Sequence, residues 1–193
     1  MTRKLVATAL VLAAFVAVFS LSALALFTDT ASVPGNTFTT GTVDISTSPT
    51  SALVTFSGMA PGDSVVNPVT VTNAGTLQLR YAVTSTTTEN TLAAQLDTTI
   101  WDENEEGDGN TTCNASAPGA VLYGPADLGS TAGVNVIGNP AQGSQSGDRT
   151  LAGSASEVLC FLVSLPSSTA NSFQGLTTTA TFAFQAEQTT NNP

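Results

Sequence analysis

A stretch of alternating residues constrains the fold of this chain more than any other feature of its sequence. From Leu77 to Val83, apolar side chains occupy every second position, with polar or small residues between them. A period of two is typical of a β-strand that turns one face to a core. No segment of the chain has the 3.6-residue period of an amphipathic helix. We therefore expect an all-β protein.

Turn-forming residues separate this stretch from other predicted strands. Pro61 and Gly62 stand in the order that a type II turn requires, and Asn73-Ala74-Gly75 supplies a second turn. Residues 157–165 are apolar on both faces, which is typical of a strand covered on both sides. Short strands separated by turns indicate an antiparallel β-sandwich, either jelly-roll or Ig-like. Further strands are predicted at residues 69–71, 96–101 and 177–188, the last with Ala180, Phe182, Phe184 and Ala186 on one face.

Residues 102–157 differ from the rest of the chain. They hold most of the turn-forming residues and show little periodicity, with short apolar groups at residues 121–123 and 134–137. We predict long loops in this region, with one or two short strands.

The amino terminus has the pattern of a signal peptide. A basic pair, Arg3-Lys4, precedes an apolar run from Leu5 to Phe27. The end of this run contains Ala23-Leu24-Ala25, the small-x-small pattern that signal peptidase cleaves. We predict a signal peptide over residues 1–25, cleaved before Leu26. The mature protein is then secreted and stays outside the cell, at its surface or in a matrix.

The length of the apolar run leaves a second interpretation open. Signal-peptide cores span about 7–15 residues, whereas about 20 apolar residues can cross a bilayer. An uncleaved amino-terminal anchor is therefore the alternative, and in both cases the chain meets the membrane only through this segment. We expect residues 26–36 to be an assembly or flexible segment and residues 37–190 to form the β-sandwich domain.

Ionisable residues are few and mostly acidic. Beyond residue 25 the basic residues are Arg80 and Arg149, against 14 acidic residues in the chain. Such a surface repels the phosphate backbone of nucleic acids, so the composition argues against nucleic-acid binding. An acidic surface instead helps to keep an extracellular protein soluble.

The chain lacks the residues of the common catalytic sites. It has no histidine, so it can form neither a Ser-His-Asp triad nor a His-Glu-x-x-His zinc site. Lys4 is the only lysine and lies in the predicted signal peptide, which removes the base needed for Ser-Lys chemistry. We predict no catalytic residues and no cofactor.

Cys113 and Cys160 are the two cysteines of the chain. In an exported protein an isolated pair is expected to form one disulfide. Closing a loop of this length contributes roughly 4 kcal/mol by the loop-entropy estimate. Two buried free thiols are the competing interpretation.

An acidic cluster between residues 101 and 110 imitates part of a calcium-binding loop. Its oxygen-bearing residues alternate and are followed by glycine, as at the start of an EF-hand loop. The imitation is incomplete, because Cys113 stands where the loop needs a bidentate glutamate and no flanking helices are predicted. The alternative is a solvated acidic loop. The calcium candidates are Asp102, Asn104, Glu106 and Asp108.

Four segments in order resemble the TasA/camelysin-like family of exported proteins. The first is Leu26-Phe27-Thr28-Asp29, directly after the predicted cleavage site, and the second is the Phe-x-x-Gly-Thr pattern within residues 36–45. The third is Met59-Ala60-Pro61-Gly62-Asp63-Ser64, and the fourth is Asn73-Ala74-Gly75-Thr76-Leu77. The resemblance covers residues 1 to about 83 and returns more weakly at the final strand.

This resemblance implies a jelly-roll sandwich that a SipW-type signal peptidase releases. TasA-like members assemble into extracellular fibres of the biofilm matrix, in which the segment after the cleavage site adds as a strand to the next subunit. The matching residues here are Leu26 to about Val33, with Leu26 and Phe27 as apolar anchors and Thr28 and Asp29 beside them. The implied partners are further copies of this chain or related matrix subunits. A flexible terminus is the alternative role for this segment.

Two function classes remain, with a third disfavoured. The first is a structural matrix subunit that polymerises through its leading strand. The second is a monomeric surface or secreted Ig-like binding module whose ligands contact the long loops between Asp102 and Glu157. Camelysin-like members are also described as metallo-endopeptidases, and the absence of histidine argues against that activity here.

Overall fold

The computed structural model describes residues 39–50, 58–103 and 112–192, and their regular structure is β-strand apart from one 3₁₀ turn at Asn171–Phe173. Residues from Thr40 onward belong to one compact unit. The strands are β1 (Ile45–Ser48), β2 (Ser64–Asn73), β3 (Leu79–Thr87), β4 (Asp97–Asp102), β5 (Ala120–Asp127), β6 (Val134–Ile137), β7 (Arg149–Leu151), β8 (Ser156–Ser164) and β9 (Ala180–Gln188). The prediction of an all-β fold is confirmed.

The strands form two antiparallel sheets that pack as a sandwich. The first sheet has five strands in the order β1-β2-β8-β4-β5. In the second sheet, β3 pairs along its whole length with β9 on one side and with β6 and β7 on the other. β1 contacts β9, and β5 contacts β6, at the two sides of the sandwich.

Two apolar clusters fill the space between the sheets. The larger one takes buried side chains from both sheets: Val69, Val71, Leu79, Tyr81, Val83, Ile100, Val136, Ile137, Leu151, Leu159 and Phe161. The smaller one, called here the second cluster, consists of Leu96, Leu128, Val163 and Leu165. Five side chains pack against the second cluster and remain partly exposed: Met59, Val65, Leu92, Ala180 and Phe182.

Both faces of β8 are covered, as its sequence predicts. All residues from Glu157 to Phe161 are buried. The inner face contributes Leu159 and Phe161 to the core, whereas Cys160 on the outer face is disulfide-bonded to Cys113. The disulfide predicted from the cysteine pair is therefore present.

The prediction of one or two short strands between residues 102 and 157 is wrong, because three strands lie there: β5, β6 and β7. β5 contains Gly124-Pro125, a pair that reads as a turn in the sequence. An edge strand tolerates proline, since the missing N–H costs no hydrogen bond on the side away from its neighbour. β5 is such an edge strand of the first sheet.

The two predicted turns have clear structural roles. The N–H of Asp63 donates to the carbonyl of Ala60 at 2.9 Å, and Gly62 has φ of +97°, as the third position of a type II turn requires. At the second turn, the Asn73 side chain is fully buried and bonds to the surrounding backbone. Leu77, predicted to open the next strand, belongs to this turn, and β3 begins at Leu79.

No helix in the described ranges, 39–50, 58–103 and 112–192, is long and apolar enough to cross a membrane.

Candidate functional site

A cluster of ionised and polar side chains lies between the sheets at one end of the sandwich. The Tyr81 hydroxyl of β3 donates to Oε1 of Glu157 in β8 at 2.7 Å. Arg149, which opens β7, donates through Nη2 to both Asp102 and Glu157, and its Nε lies 3.2 Å from Glu157. The cluster therefore ties β3 and β7 of one sheet to β4 and β8 of the other.

The environment of this cluster raises the pKa values of Tyr81 and Arg149. Burial raises the pKa of Tyr81 well above its ordinary value, and the negative charge of Glu157 raises it further. Burial by itself lowers the pKa of Arg149, but the hydrogen bonds and charges of Glu157 and Asp102 raise it above its ordinary value. Tyr81 stays neutral and Arg149 stays charged, so the arrangement suits a structural tie rather than proton transfer.

The outer face of the first sheet carries the disulfide and the tryptophan. Trp101 of β4 lies directly opposite Cys160 of β8 and is fully buried. Its indole N–H donates to Oε2 of Glu103 at 2.6 Å. The bond from Cys160 to Cys113 attaches the segment that leads into β5 to this same face. Trp101 is therefore buried on the outer face of the first sheet and belongs to neither of the two apolar clusters between the sheets.

Of the calcium candidates, the structure describes Asp102 alone. Its side chain lies at the end of β4, is 7% exposed and pairs with Arg149, so it points into the sandwich rather than into a solvated loop. Asn104, Glu106 and Asp108 lie outside the described residues, and calcium binding there stays a prediction. In the part of the chain that the structure describes, no three Asp, Glu or Cys side chains converge as metal ligands.

The residues of the predicted cleavage site and leading segment also lie outside the described residues. They are Ala23, Ala25, Leu26, Phe27, Thr28 and Asp29. Their roles stay predictions.

Both basic side chains of the described residues are held in internal ion pairs. Arg149 belongs to the cluster between the sheets. Arg80 of β3 is buried on the outer face of the second sheet, where its Nε lies 2.6 Å from Glu187 of β9 and its Nη2 donates to the carbonyl of Asn192. The exposed ionisable side chains of the described residues, such as Asp44 and Asp127, are therefore acidic. The composition did not predict this burial of both arginines.

The sheet edges differ in how well they could accept another strand. β5 contains Pro125, two register irregularities against β4 and an exposed Asp127, all of which hinder pairing. β9 has nine residues with no proline and no bulge, and its one charge, Glu187, is paired with Arg80. Among the described residues, β1 pairs with β2 only at Thr70–Asn73, and no described strand pairs with the same side of β2 at Ser64–Val66.

An apolar groove of about 720 Å³ opens beside the second cluster. The turn at residues 58–61 forms one wall, and the long connection between β8 and β9 forms the other. Its apolar lining includes Met59, Leu92, Leu96, Leu165, Phe173 and Leu176. The sequence pattern did not point to this groove, because its walls come from segments far apart in the chain.

Comparison with protein families gives a match over the first half of the chain. A sequence model described as camelysin metallo-endopeptidase matches residues 1–108, more than half of the chain. The matched range includes β1 to β4 and thus the type II turn and the buried Asn73. Comparison with curated proteins gives no match.

Proposed function

This chain belongs to the camelysin metallo-endopeptidase family, which includes the TasA-like proteins, and on that basis we propose that it is an exported structural subunit of an extracellular matrix. Its copies associate when the leading segment, Leu26–Val33, of one copy adds as a strand to the sandwich of the next. A dedicated signal peptidase controls this step, because cleavage before Leu26 frees the segment.

The chemistry of the chain supports a structural role over peptidase activity. Metallo-endopeptidases hold zinc with histidine in most known sites, and this chain has no histidine. The buried carboxylates Asp102 and Glu157 are already bound by Arg149, so neither is available as a general base in the described structure. A peptidase of this composition would need an unusual, carboxylate-only site.

The observation that carries the proposal is that the described residues cover the second cluster incompletely. Val65 lies at the end of β2 that no described strand pairs with on the β1 side, and it packs against this cluster together with Met59; both remain partly exposed. An added strand would satisfy the backbone groups at Ser64–Val66 and lay alternate side chains over the cluster. Leu26 and Phe27 are apolar and lie together near the start of the predicted mature chain, which suits this use.

The test compares a protein that begins at Leu26 with one that begins at Pro34. We expect fibres or large oligomers from the longer protein alone, measured by light scattering and electron microscopy. Circular dichroism shows whether both proteins keep the β-sandwich. As a control, the longer protein with Leu26→Ser and Phe27→Ser keeps the leading segment but loses its apolar anchors. It should behave like the shorter protein.

A peptide in trans tests the acceptor directly. A synthetic peptide of residues 26–36, added to the protein that begins at Pro34, should raise its Tm, because a ligand that binds only the folded state stabilises it. A scrambled peptide of the same composition should not. Equal assembly of the two proteins, or no effect of the native peptide, would refute strand donation by this segment.

The groove beside the second cluster favours a second candidate function. A concave apolar site with polar groups at its rim is the usual form of a ligand pocket. On this account the chain is a monomeric binding module whose ligand lies between Met59 and Phe173, not on the loops at 102–157. Leu176→Asp at the groove should then abolish ligand binding and leave the protein folded and monomeric. Dye displacement from the groove, measured by fluorescence, separates this function from the structural one.

A further inference from the structure

The geometry of β9 points to a second interface between copies of this chain: we propose that two copies pair antiparallel through their β9 strands and join their second sheets into one. This contact goes beyond the proposed strand donation, because it uses no part of the leading segment. Copies would then meet side by side through β9, in addition to the contact along the fibre through the leading segment.

The hydrogen bonds at both ends of β9 show which of its backbone groups are already used. Thr88 N–H donates to the carbonyl of Thr179 at 3.0 Å, and Thr189 N–H donates to that of Gln78 at 3.2 Å. In an antiparallel ladder such bonded pairs recur at every second residue. With the register of β3 and β9, the odd-numbered residues of β9 bond to β3. The N–H and C=O groups of Phe182, Phe184 and Ala186 therefore point away from β3.

β9 lacks the features that protect sheet edges from pairing. Proline, lysine, bulges and short length are the usual means of protection, and β9 has none of them over its nine residues. Its one ionised side chain, Glu187, is neutralised by Arg80. On a described surface whose exposed charges are acidic, β9 is thus a strand that adds no unpaired charge of its own to the repulsion between copies.

The sequence of β9 is compatible with pairing to itself. An antiparallel pair centred on Phe184 places Phe184 opposite its own counterpart, with the outward backbone groups of both copies facing each other. In this register Glu187 lies opposite Thr181, and Ala183 lies opposite Gln185, so no like charges meet. Such a contact has two-fold symmetry, the commonest symmetry of protein dimers.

The aromatic residues of β9 would gain burial from this contact. Phe182 and Phe184 contribute to the core, with the Phe182 ring 4.9 Å from that of Phe161 and the Phe184 ring 6.1 Å from that of Tyr81. Both side chains nevertheless remain partly exposed. A second β9 strand would cover them, and apolar burial is the main favourable term in association.

A charge-swap experiment tests both the interface and its register. One variant carries Ala183→Lys and Gln185→Lys, and the other carries Ala183→Glu and Gln185→Glu. These positions are exposed, so the substitutions leave the core unchanged. In the proposed register each variant places like charges opposite one another, and the mixture places opposite charges there. Analytical ultracentrifugation of the protein that begins at Pro34, which lacks the leading segment, measures the dimer.

We expect the wild-type protein to form a dimer and each variant alone to weaken it by roughly tenfold or more. Mixing the two variants should restore the dimer. The variant with Thr150→Lys and Ala152→Lys is the matched control, because both positions are exposed and lie in or beside β7, and it should dimerise like the wild type.

Three results would overturn the proposal. They are a wild-type protein that stays monomeric, two variants that dimerise like the wild type, and a mixture that does not recover the dimer. A dimer that disappears when residues 26–33 are removed, but ignores the charges on β9, would assign the contact to the leading segment instead. A protein that begins at Leu26 and forms the β9 dimer but no fibres would contradict strand donation and leave the β9 interface intact.

Discussion

At the scale of single residues, Asn73 explains why the Asn-Ala-Gly turn is more than a break between strands. Its buried Nδ2 lies 2.8 Å from the carbonyl of Leu77, 3.2 Å from that of Leu151 and 3.0 Å from that of Ala152. Its Oδ1 accepts the N–H of Gly75 at 3.0 Å. One side chain thus satisfies the backbone of its own turn and of the segment that follows β7.

Replacing Asn73 by Ala should lower the free energy of unfolding by about 2–3 kcal/mol, because buried carbonyls lose their donors. Urea denaturation followed by circular dichroism measures the change. Asn135→Ala, at an exposed position in β6, is the matched control and should change the free energy by about 0.5 kcal/mol or less. Equal effects of the two substitutions would contradict the role assigned to Asn73.

At the scale of elements, the disulfide attaches the segment before β5 to the central strand β8. The Cα atoms of Cys113 and Cys160 lie 5.5 Å apart, and 47 positions separate them in sequence. Because Cys160 lies opposite Trp101, the same bond holds the segment around Cys113 close to the tryptophan. The disulfide is therefore a covalent link between the segment before β5 and the first sheet.

Removing the disulfide with Cys113→Ser and Cys160→Ser should lower the free energy of unfolding by about 4 kcal/mol, the entropy of the loop that the bond closes. Trp101 is the only tryptophan, so its emission reports the same region without a label. We expect a shift of the emission to longer wavelength in the variant, and in the wild-type protein after reduction. A change below about 1 kcal/mol with unchanged emission would show that packing alone holds the segment.

At the scale of the whole molecule, the distribution of charge decides how copies meet. Arg80 and Arg149 are both engaged in internal ion pairs, so the described surface offers acidic side chains to an approaching copy. Association through any edge must overcome the repulsion between two such surfaces. Salt reduces that repulsion, since the screening length is about 10 Å at an ionic strength of about 0.1 M.

Self-association should therefore strengthen as NaCl rises from about 20 mM to about 300 mM, because screening removes repulsion between acidic surfaces. Light scattering over this range measures it. MgCl₂ at matched ionic strength distinguishes general screening, which gives the same effect, from a specific divalent cation, which gives a larger one. Association that weakens with salt would indicate that attraction between opposite charges holds the copies together.

Local patterns in the chain predicted much of the fold. The alternation that begins at Leu77 corresponds to β3 from Leu79 onward, and the patterns on one face of β9 and on both faces of β8 also correspond to observed strands. The type II turn at Pro61-Gly62 follows from the φ preferences of those two residues. The cysteine pair predicted the disulfide, because export and an isolated pair leave few other uses for cysteine.

The sequence did not predict features that depend on an edge strand or on contacts between residues far apart in the chain. β5 extends beyond the apolar group at residues 121–123 that the sequence offered for a short strand, because Gly124-Pro125 resembles a turn, whereas a strand with one free side accommodates proline. The pairing of Arg149 with Asp102 and Glu157 could not be predicted, because these residues come from three strands in two sheets. The groove beside the second cluster could not be predicted either, because its lining comes from residues near 60, 95 and 170, which are far apart in the chain.

The sequence by itself determined that this protein is all-β, carries a disulfide and resembles an exported family. Each of these rests on properties of neighbouring residues or on the inventory of the chain, such as the period of two in β3 and the absence of histidine. The tertiary structure alone decided that no described strand pairs with the outer side of β9, that β5 is a hindered edge, and that Arg80 and Arg149 are internal. The physical reason is that strand order and ion pairing depend on contacts between residues far apart in the chain, which local periodicity does not encode.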